Sequence, residues 1–425
     1  MTSDAMPFRW RSIALPAFLP TLLFSIGEGA IIPIIPLVAN SLGATIAIAG
    51  VIAGALTVGE LFGNIPSGSV VSKIGERPAM IGAALLSIVG LGVCIVAPNP
   101  VWLAVGVLLI GIATATFALA RHAFMTSFVP IQYRARALST LGGTFRAGTF
   151  VGPFIAAGII HATGATQSAF YIHVVACLAA ALVLLFLRDP TATFGSVSMV
   201  RAEDGHQRRE GEEFVRREAH GLLRTIRTNR PVLARLGLGA ALVGAMRASR
   251  AVILPLWALS IGLPDATTAL IIGVAGAVDF ALFYVSGQVM DKFGRLASAL
   301  PSMVGLGLGH LALALSHDLS DAVTWFIAIA MVMSVANGFG SGILMTLGSD
   351  LADKSNPAPF LGAWRFTGGV GSASSPLLIA GVTGVASISV AAGVMGVLGL
   401  VGAGVLLRYI PRYIPRVPRT PRLRR

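Results

Sequence analysis

Two short stretches, GQVMDKFGR at 287–295 and GSVVSKIGER at 68–77, decide the fold. Each is a charged string opened by a glycine and set between long apolar runs. Gly287 and Gly68 are 219 residues apart, and the same shift aligns much else without gaps. Lys73 meets Lys292, Gly75 meets Gly294, Pro36 meets Pro255, Glu60 meets Asp279, and Arg146 meets Arg365. An acid, an arginine, a proline and several glycines falling together at one offset mark a duplicated unit.

The flanking runs say what was duplicated. The chain has 425 residues, is 55% hydrophobic and only 12% charged; a soluble domain is about a quarter charged. Twelve runs reach the length of about 20 residues that spans a bilayer: 13–39, 46–71, 79–97, 101–128, 137–161, 168–187, 233–261, 266–289, 297–316, 322–348, 360–384 and 386–407. They are continuously apolar and rich in Leu, Ala and Gly, without the alternation of a membrane barrel. The expectation is an all-α integral membrane protein of twelve transmembrane helices in two pseudo-symmetric six-helix bundles. The halves would cover 1–187 and 233–408, joined by a charged linker at 188–232 and followed by a basic tail at 409–425. The linker is either a solvated connection or, through Phe214, Leu222, Leu223 and Ile226, an amphipathic helix on the membrane surface.

The net charge of +13 is distributed as an orientation signal. Arg9, Arg11, Lys73, Arg77, Arg134, Arg136, Lys292, Arg295, Lys354, the linker and the tail fall on one side. The opposite loops, such as NSLGAT at 40–45 and SHDLSD at 316–321, carry no Lys or Arg. This positive-inside pattern places both termini in the cytoplasm and the chain in the inner membrane. It also argues against a nucleic-acid partner. The first run is read as a retained helix rather than a signal peptide. Cys94 and Cys177 fall inside apolar runs, which fits packing and not a disulfide or zinc site. No metal-ligand spacing and no phosphate-binding glycine loop stands out, so no cofactor, metal or enzymatic activity is expected.

Ionisable residues within membrane runs are costly and usually have a partner or a task. Glu28 lies near the middle of the first run, Glu60 in the second and Asp279 in the eighth. Arg121 is in the fourth, Arg146 in the fifth, Arg247 and Arg250 in the seventh and Arg365 in the eleventh; His173 is in the sixth. Glu60 and Asp279 each stand eight residues before the glycine of a charged loop, about 12 Å into the membrane. Two pairings are open: Glu60–Arg365 and Asp279–Arg146 across the halves as a cytoplasmic gate, or static pairs within one half, such as Glu60 with Arg121. Glu28 near the midplane suits proton coupling, because losing water makes its charge expensive, and Glu60 and Asp279 are the further candidates for it. At the 219 shift Glu28 falls on Arg247, so a permanent Glu28–Arg247 pair is the other reading. Arg247 and Arg250, three apart on one face, would suit an anionic substrate, whereas Glu28 would suit a cation. His173 could join substrate binding or a proton relay.

The loop Gly287, Asp291, Lys292, Gly294, Arg295, set between the second and third helices of its unit, resembles the signature loop of the major facilitator superfamily. The first copy keeps Gly68, Lys73 and Gly75 but has Ser72 where the acid belongs. Gly148, Gly152 and Pro153, in GTFRAGTFVGPFIAAG, resemble the family's antiporter motif; Ala156 and Ala157 replace its trailing glycines. An ordinary glycine packing face is the alternative. The resemblance implies alternating access, a monomer in the lipid bilayer, and Asp291 latched onto the start of the fifth helix near Arg136 to Thr140. The alternative for Asp291 is a cap on its own loop. Functionally, the resemblance to drug:proton antiporters implies proton-coupled export of small amphiphilic compounds. Transport of a polar anionic metabolite, with Arg247 and Arg250 at the site, is the second expectation.

Overall fold

The computed structural model describes residues 18–128, 131–186, 222–352 and 358–414, by backbone alone at 126–128, 131–136, 222–224 and 358. The basic residues Arg9 and Arg11, Lys354, most of the linker and the end of the tail lie outside the described residues, as do the side chains of Arg134 and Arg136.

The described residues are mostly helical, and no strand occurs among them. The first run forms α1 (Leu19–Ile31) and α2 (Ile35–Ser41), bent by 40° where Pro33 interrupts the ladder. Then come α3 (Ile46–Ile74), α4 (Glu76–Ile95), α5 (Pro100–Phe128), α6 (Ile131–Thr163) and α7 (Ala169–Phe186). After a short helix α8 (Leu222–Thr228), α9 (Leu238–Ser260), α10 (Asp265–Phe293) and α11 (Arg295–Ser316) follow. The tenth run, read from sequence as continuous, is broken into α12 (Ala322–Phe339) and α13 (Ile343–Leu351), and α14 (Ala358–Val385) and α15 (Ile388–Tyr413) complete the chain. Eleven helices are long and apolar enough to cross a membrane, and the bent α1–α2 pair makes a twelfth candidate.

Local chemistry sets the helix boundaries. Thr45 caps α3 by accepting from the Ile48 amide at 3.3 Å, and Ser387 caps α15 by accepting from Val390 at 3.2 Å. Gly75 and Gly294, 219 residues apart, turn the chain at φ 87° and 90°. Gly43 and Gly262, at the same offset, do so at 91° and 71°. Only glycine visits this region without strain, so the repeat seen in the residues recurs in the backbone.

The described residues group into two compact units: 1–220 with 251–276, and 221–250 with 277–425. The division therefore passes through α9 and α10. Within the first unit, α10 approaches α6 closely: a Cβ on Gly273 would stand 3.1 Å from the Phe154 ring.

Candidate functional site

Glu28 sits between two glycines, in SIGEGA, and each glycine is a point of close approach. A Cβ on Gly27 would stand 2.7 Å from the His173 Cα on α7, and one on Gly29 2.7 Å from the Thr149 Cα on α6. From the other side, a Cβ on Gly148 would meet the Leu22 carbonyl at 2.8 Å, and one on Gly152 the Gly29 carbonyl carbon at 2.7 Å. Small residues let membrane helices come this close. The antiporter-like glycines thus press α6 against the helix that carries Glu28. Pro153 continues within α6.

On its remaining face α1 borders a cavity of about 190 Å³ shared with α3, α5 and α6. Its lining includes Phe24 and Glu28 from α1, Glu60 and Asn64 from α3, and Thr114, Phe117 and Arg121 from α5, with Phe145 from α6. The spacings are helical: four residues from Phe24 to Glu28 and from Glu60 to Asn64, seven from Thr114 to Arg121. Gly63 brings α3 onto α5, where its Cβ would meet the Ile112 Cα at 2.9 Å. Glu28 is 4% exposed, Glu60 is half-buried and Asn64 is exposed, so burial is graded along the cavity. Glu28 lies in the field of Arg121 and interacts electrostatically with Glu60. The Arg121 guanidinium stacks over the Phe145 ring at 4.6 Å. Glu28 Oε2, Thr114 Oγ1 and Arg121 Nε are buried and find no hydrogen-bond partner.

His173 belongs elsewhere. It is fully buried, with Nε2 3.1 Å from Ser87 Oγ and its ring edge-on to Phe24 at 5.1 Å. Phe24 in turn stacks on Phe117 at 4.2 Å. The expected substrate-binding role of His173 gives way to packing of α7 on α1 and α4. Cys94 and Cys177 are free and buried, as the sequence implied.

In the second unit the intramembrane charges are hydrogen-bonded to their own neighbours. Asp279 lies 3.9 Å from Arg250 and accepts from Asn337 Nδ2 at 2.5 Å. Arg250 also donates to Ser334 Oγ at 2.5 Å, and Arg247 donates to the Gly340 carbonyl at 2.5 Å. Within its own unit Asp279 thus has Arg250 beside it, and Arg247 and Arg250, expected to clamp an anion, hold partners on α10 and the α12–α13 segment. Glu60, for which Arg365 and Arg121 were both open as partners, lines the cavity with Arg121. Arg146 is half-buried on α6, and Arg365 is exposed on α14.

The same network explains the break in the tenth run. Gly342 takes φ 80°, and the helical ladder lapses between Phe339 and Ile343. The Phe339 carbonyl accepts from Ser298, and Ser286 Oγ, 2.6 Å from that carbonyl and 2.9 Å from the Ser341 carbonyl, can donate its one proton to the latter. Side chains thereby satisfy carbonyls that a membrane cannot.

At the charged loop, Asp291 is exposed and 3.7 Å from Arg295 on the next turn. This is its contact within its own unit; the side chain of Arg136, named in the expected latch, lies outside the described ones. Arg295 makes a two-pronged ion pair with Asp350 on α13, at 2.7 and 3.2 Å. Lys292 extends over the Phe293 ring at 5.2 Å. In the first copy Gly68 is buried within α3 and Lys73 is exposed. Gly287 faces open space: a Cβ there would meet nothing within 4 Å.

Sequence reading missed Thr114, Asn64, Phe145, Ser334, Asn337 and Asp350. For Thr114 the signal was present, since it shares a helix face with Arg121. Asn337 is likewise a lone amide in an apolar run, a residue type that bridges membrane helices.

The family model described as Major Facilitator Superfamily matches residues 17–376. The multi-drug resistance efflux pump PmrA of Streptococcus pneumoniae is 28% identical over 184 residues, 42% of this chain and 46% of the pump. The chain thus aligns with less than half the length of that relative. Among solved structures, a POT family transporter in complex with a thioalcohol-conjugated peptide superposes with TM-score 0.74 at 13% identity, over 95% of this chain and 97% of that one. The xylose transporter XylE from E. coli, partially occluded and inward open, gives 0.66 at 16% identity, over 94% and 99%. At such identities these likenesses speak to fold alone. With the family model spanning most of a chain built from membrane-length helices, this multi-pass membrane protein belongs to the Major Facilitator Superfamily, a family of membrane transporters and not of enzymes.

Proposed function

We propose that this transporter works by alternating access and exports small amphiphilic compounds in exchange for protons. The observation that carries the reading is Glu28: a buried carboxylate with an unpartnered oxygen, beside Glu60 and Arg121, on a cavity that grades toward exposure. A carboxyl group so placed is costly when charged and open to neutralisation by a proton. The glycines at 148 and 152 support export, because they fix α6 against α1 at the residue proposed to couple. The partial likeness to a multidrug efflux pump points the same way. At about 190 Å³ the cavity is below the usual 300–1,000 Å³ of ligand pockets, so we assign it to the coupling ion, with the amphiphile entering beside it. The inner membrane, with both termini cytoplasmic, follows from the distribution of basic loops.

The anionic-metabolite reading required guanidiniums available to a substrate. Arg247 and Arg250 each hold partners in their own unit, so it ranks second.

The test is ethidium accumulation in cells making the wild type or Glu28→Gln, with and without a proton uncoupler. Lower accumulation with wild type, abolished by both the uncoupler and the substitution, is the expected result. Equal accumulation in all samples, with expression verified, removes export of this cation.

A further inference from the structure

We propose that the cavity beside Glu28 is a sodium site. Four side chains offer oxygen to it: the Glu28 and Glu60 carboxylates, the Thr114 hydroxyl and the Asn64 amide. Hard cations take oxygen ligands of these kinds, and neither sulfur nor imidazole lines the space. Two of the oxygens are more than nine-tenths buried and lack partners: Glu28 Oε2, in a residue 4% exposed, and Thr114 Oγ1, in a residue 8% exposed. Buried polar atoms without partners are rare and call for an occupant.

The charge count fixes the valence. Two carboxylates and one guanidinium leave one negative charge, which a monovalent cation balances and a divalent one exceeds. Arg121 does not fill the role itself, because its guanidinium is seated on the Phe145 ring at 4.6 Å. A bulk water takes about 30 Å³, so 190 Å³ accommodates the ion with several waters still attached. The graded burial from Asn64 through Glu60 to Glu28 and Thr114 would let sodium shed water in steps. Sodium would then occupy the place where a proton neutralises Glu28. The functional meaning of this exchange rests on the coupling role proposed above; the binding itself does not.

The experiment uses the purified full chain in lipid nanodiscs. Thermal unfolding is followed in 100 mM sodium chloride against 100 mM choline chloride, and binding of radioactive sodium is measured in parallel. A ligand that binds only the folded state raises Tm, and we expect a rise of about 3 °C in sodium over choline. Thr114→Val and Glu28→Gln should each remove that increment, and Thr114→Ser should retain it. Equal Tm in both salts with no saturable sodium binding overturns the proposal and leaves water alone in the cavity. An increment that survives Thr114→Val and Glu28→Gln overturns it too, since sodium would then act elsewhere. Should Thr114→Val fail to fold, saturable binding to wild type and Thr114→Ser that Glu28→Gln abolishes still decides. The two readings fail separately. Absent sodium binding with intact, uncoupler-sensitive ethidium efflux sinks only this inference, whereas sodium binding without efflux sinks only drug export.

Discussion

Glu60 and Asp279 occupy equivalent places in a duplicated chain, yet their surroundings have diverged. Glu60 lies with Glu28 and Arg121 around a cavity where several polar atoms lack partners. Asp279 is drawn into a network with Arg250, Asn337 and, through Arg250, Ser334. One cluster sets its charges along a cavity, and the other sets them between helices that they hold together. An intramembrane charge is therefore not in itself a functional site. Both clusters keep buried atoms without a hydrogen bond, Glu28 Oε2 in the first and Arg250 Nε in the second, so what distinguishes them is whether the charges face space or each other.

The comparison breaks most decisively if the first cluster does not depend on its glycine clamp. Gly29→Val would drive a side chain into Thr149, whose carbonyl carbon lies 2.9 Å from the ideal Cβ. We expect a cost on the order of 4 kcal/mol and loss of folded protein in size-exclusion chromatography. Gly142→Ala, where a Cβ would meet nothing within 4 Å, should elute as wild type. Comparable yields of the two variants would show that α1 and α6 are not pressed together at Glu28.

Next come the acids themselves. Asp279→Ala leaves the mostly buried Arg250 without its carboxylate, and removing one member of a buried pair costs about 3 kcal/mol. A clear drop in Tm is the expected outcome. Glu28→Gln removes a buried charge whose Oε2 makes no hydrogen bond, so in choline buffer its stability should stay within about 1 kcal/mol of wild type or rise. If instead Glu28→Gln unfolds the protein and Asp279→Ala does not, the roles assigned to the two clusters are reversed.

The sequence made the scaffold legible because membrane spans, caps and positive-φ glycines are local properties. The 219-residue offset announced Gly75 and Gly294. Partner choice was less legible. Helical rise gives the depth of Asp279, but depth alone does not announce Arg250 and Asn337 beside it, which depends on how each helix is turned about its axis. The break after Phe339 was hidden for a related reason. A run of Gly and Ser in an apolar stretch continues a helix unless side chains from elsewhere take up the carbonyls, and Ser286 and Ser298 lie on other helices. His173 shows the converse error: a titratable residue in a membrane run was read as functional, although Gly27 had left room for its ring to pack.

The charged loops give the finest contrast and the smallest effect. Arg295 holds Asp350 through two hydrogen bonds, tying the start of α11 to α13. At the equivalent place in the first copy stands Glu76, which is buried, and its neighbour Arg77 donates to the Leu184 carbonyl at 2.5 Å. The second loop is thus fastened by a charge pair near the surface, and the first by a side chain on backbone. Asp350→Asn should cost no more than about 1 kcal/mol in low salt, and the difference from wild type should shrink as salt rises. Arg77→Lys keeps the charge but not the planar donor geometry, so its Tm change should be insensitive to salt. Parallel Tm titrations from 20 to 500 mM choline chloride separate the two. A salt-independent loss for Asp350→Asn would mean that its pair with Arg295 is a buried structural contact, and the second loop would then resemble the first more than its chemistry suggests.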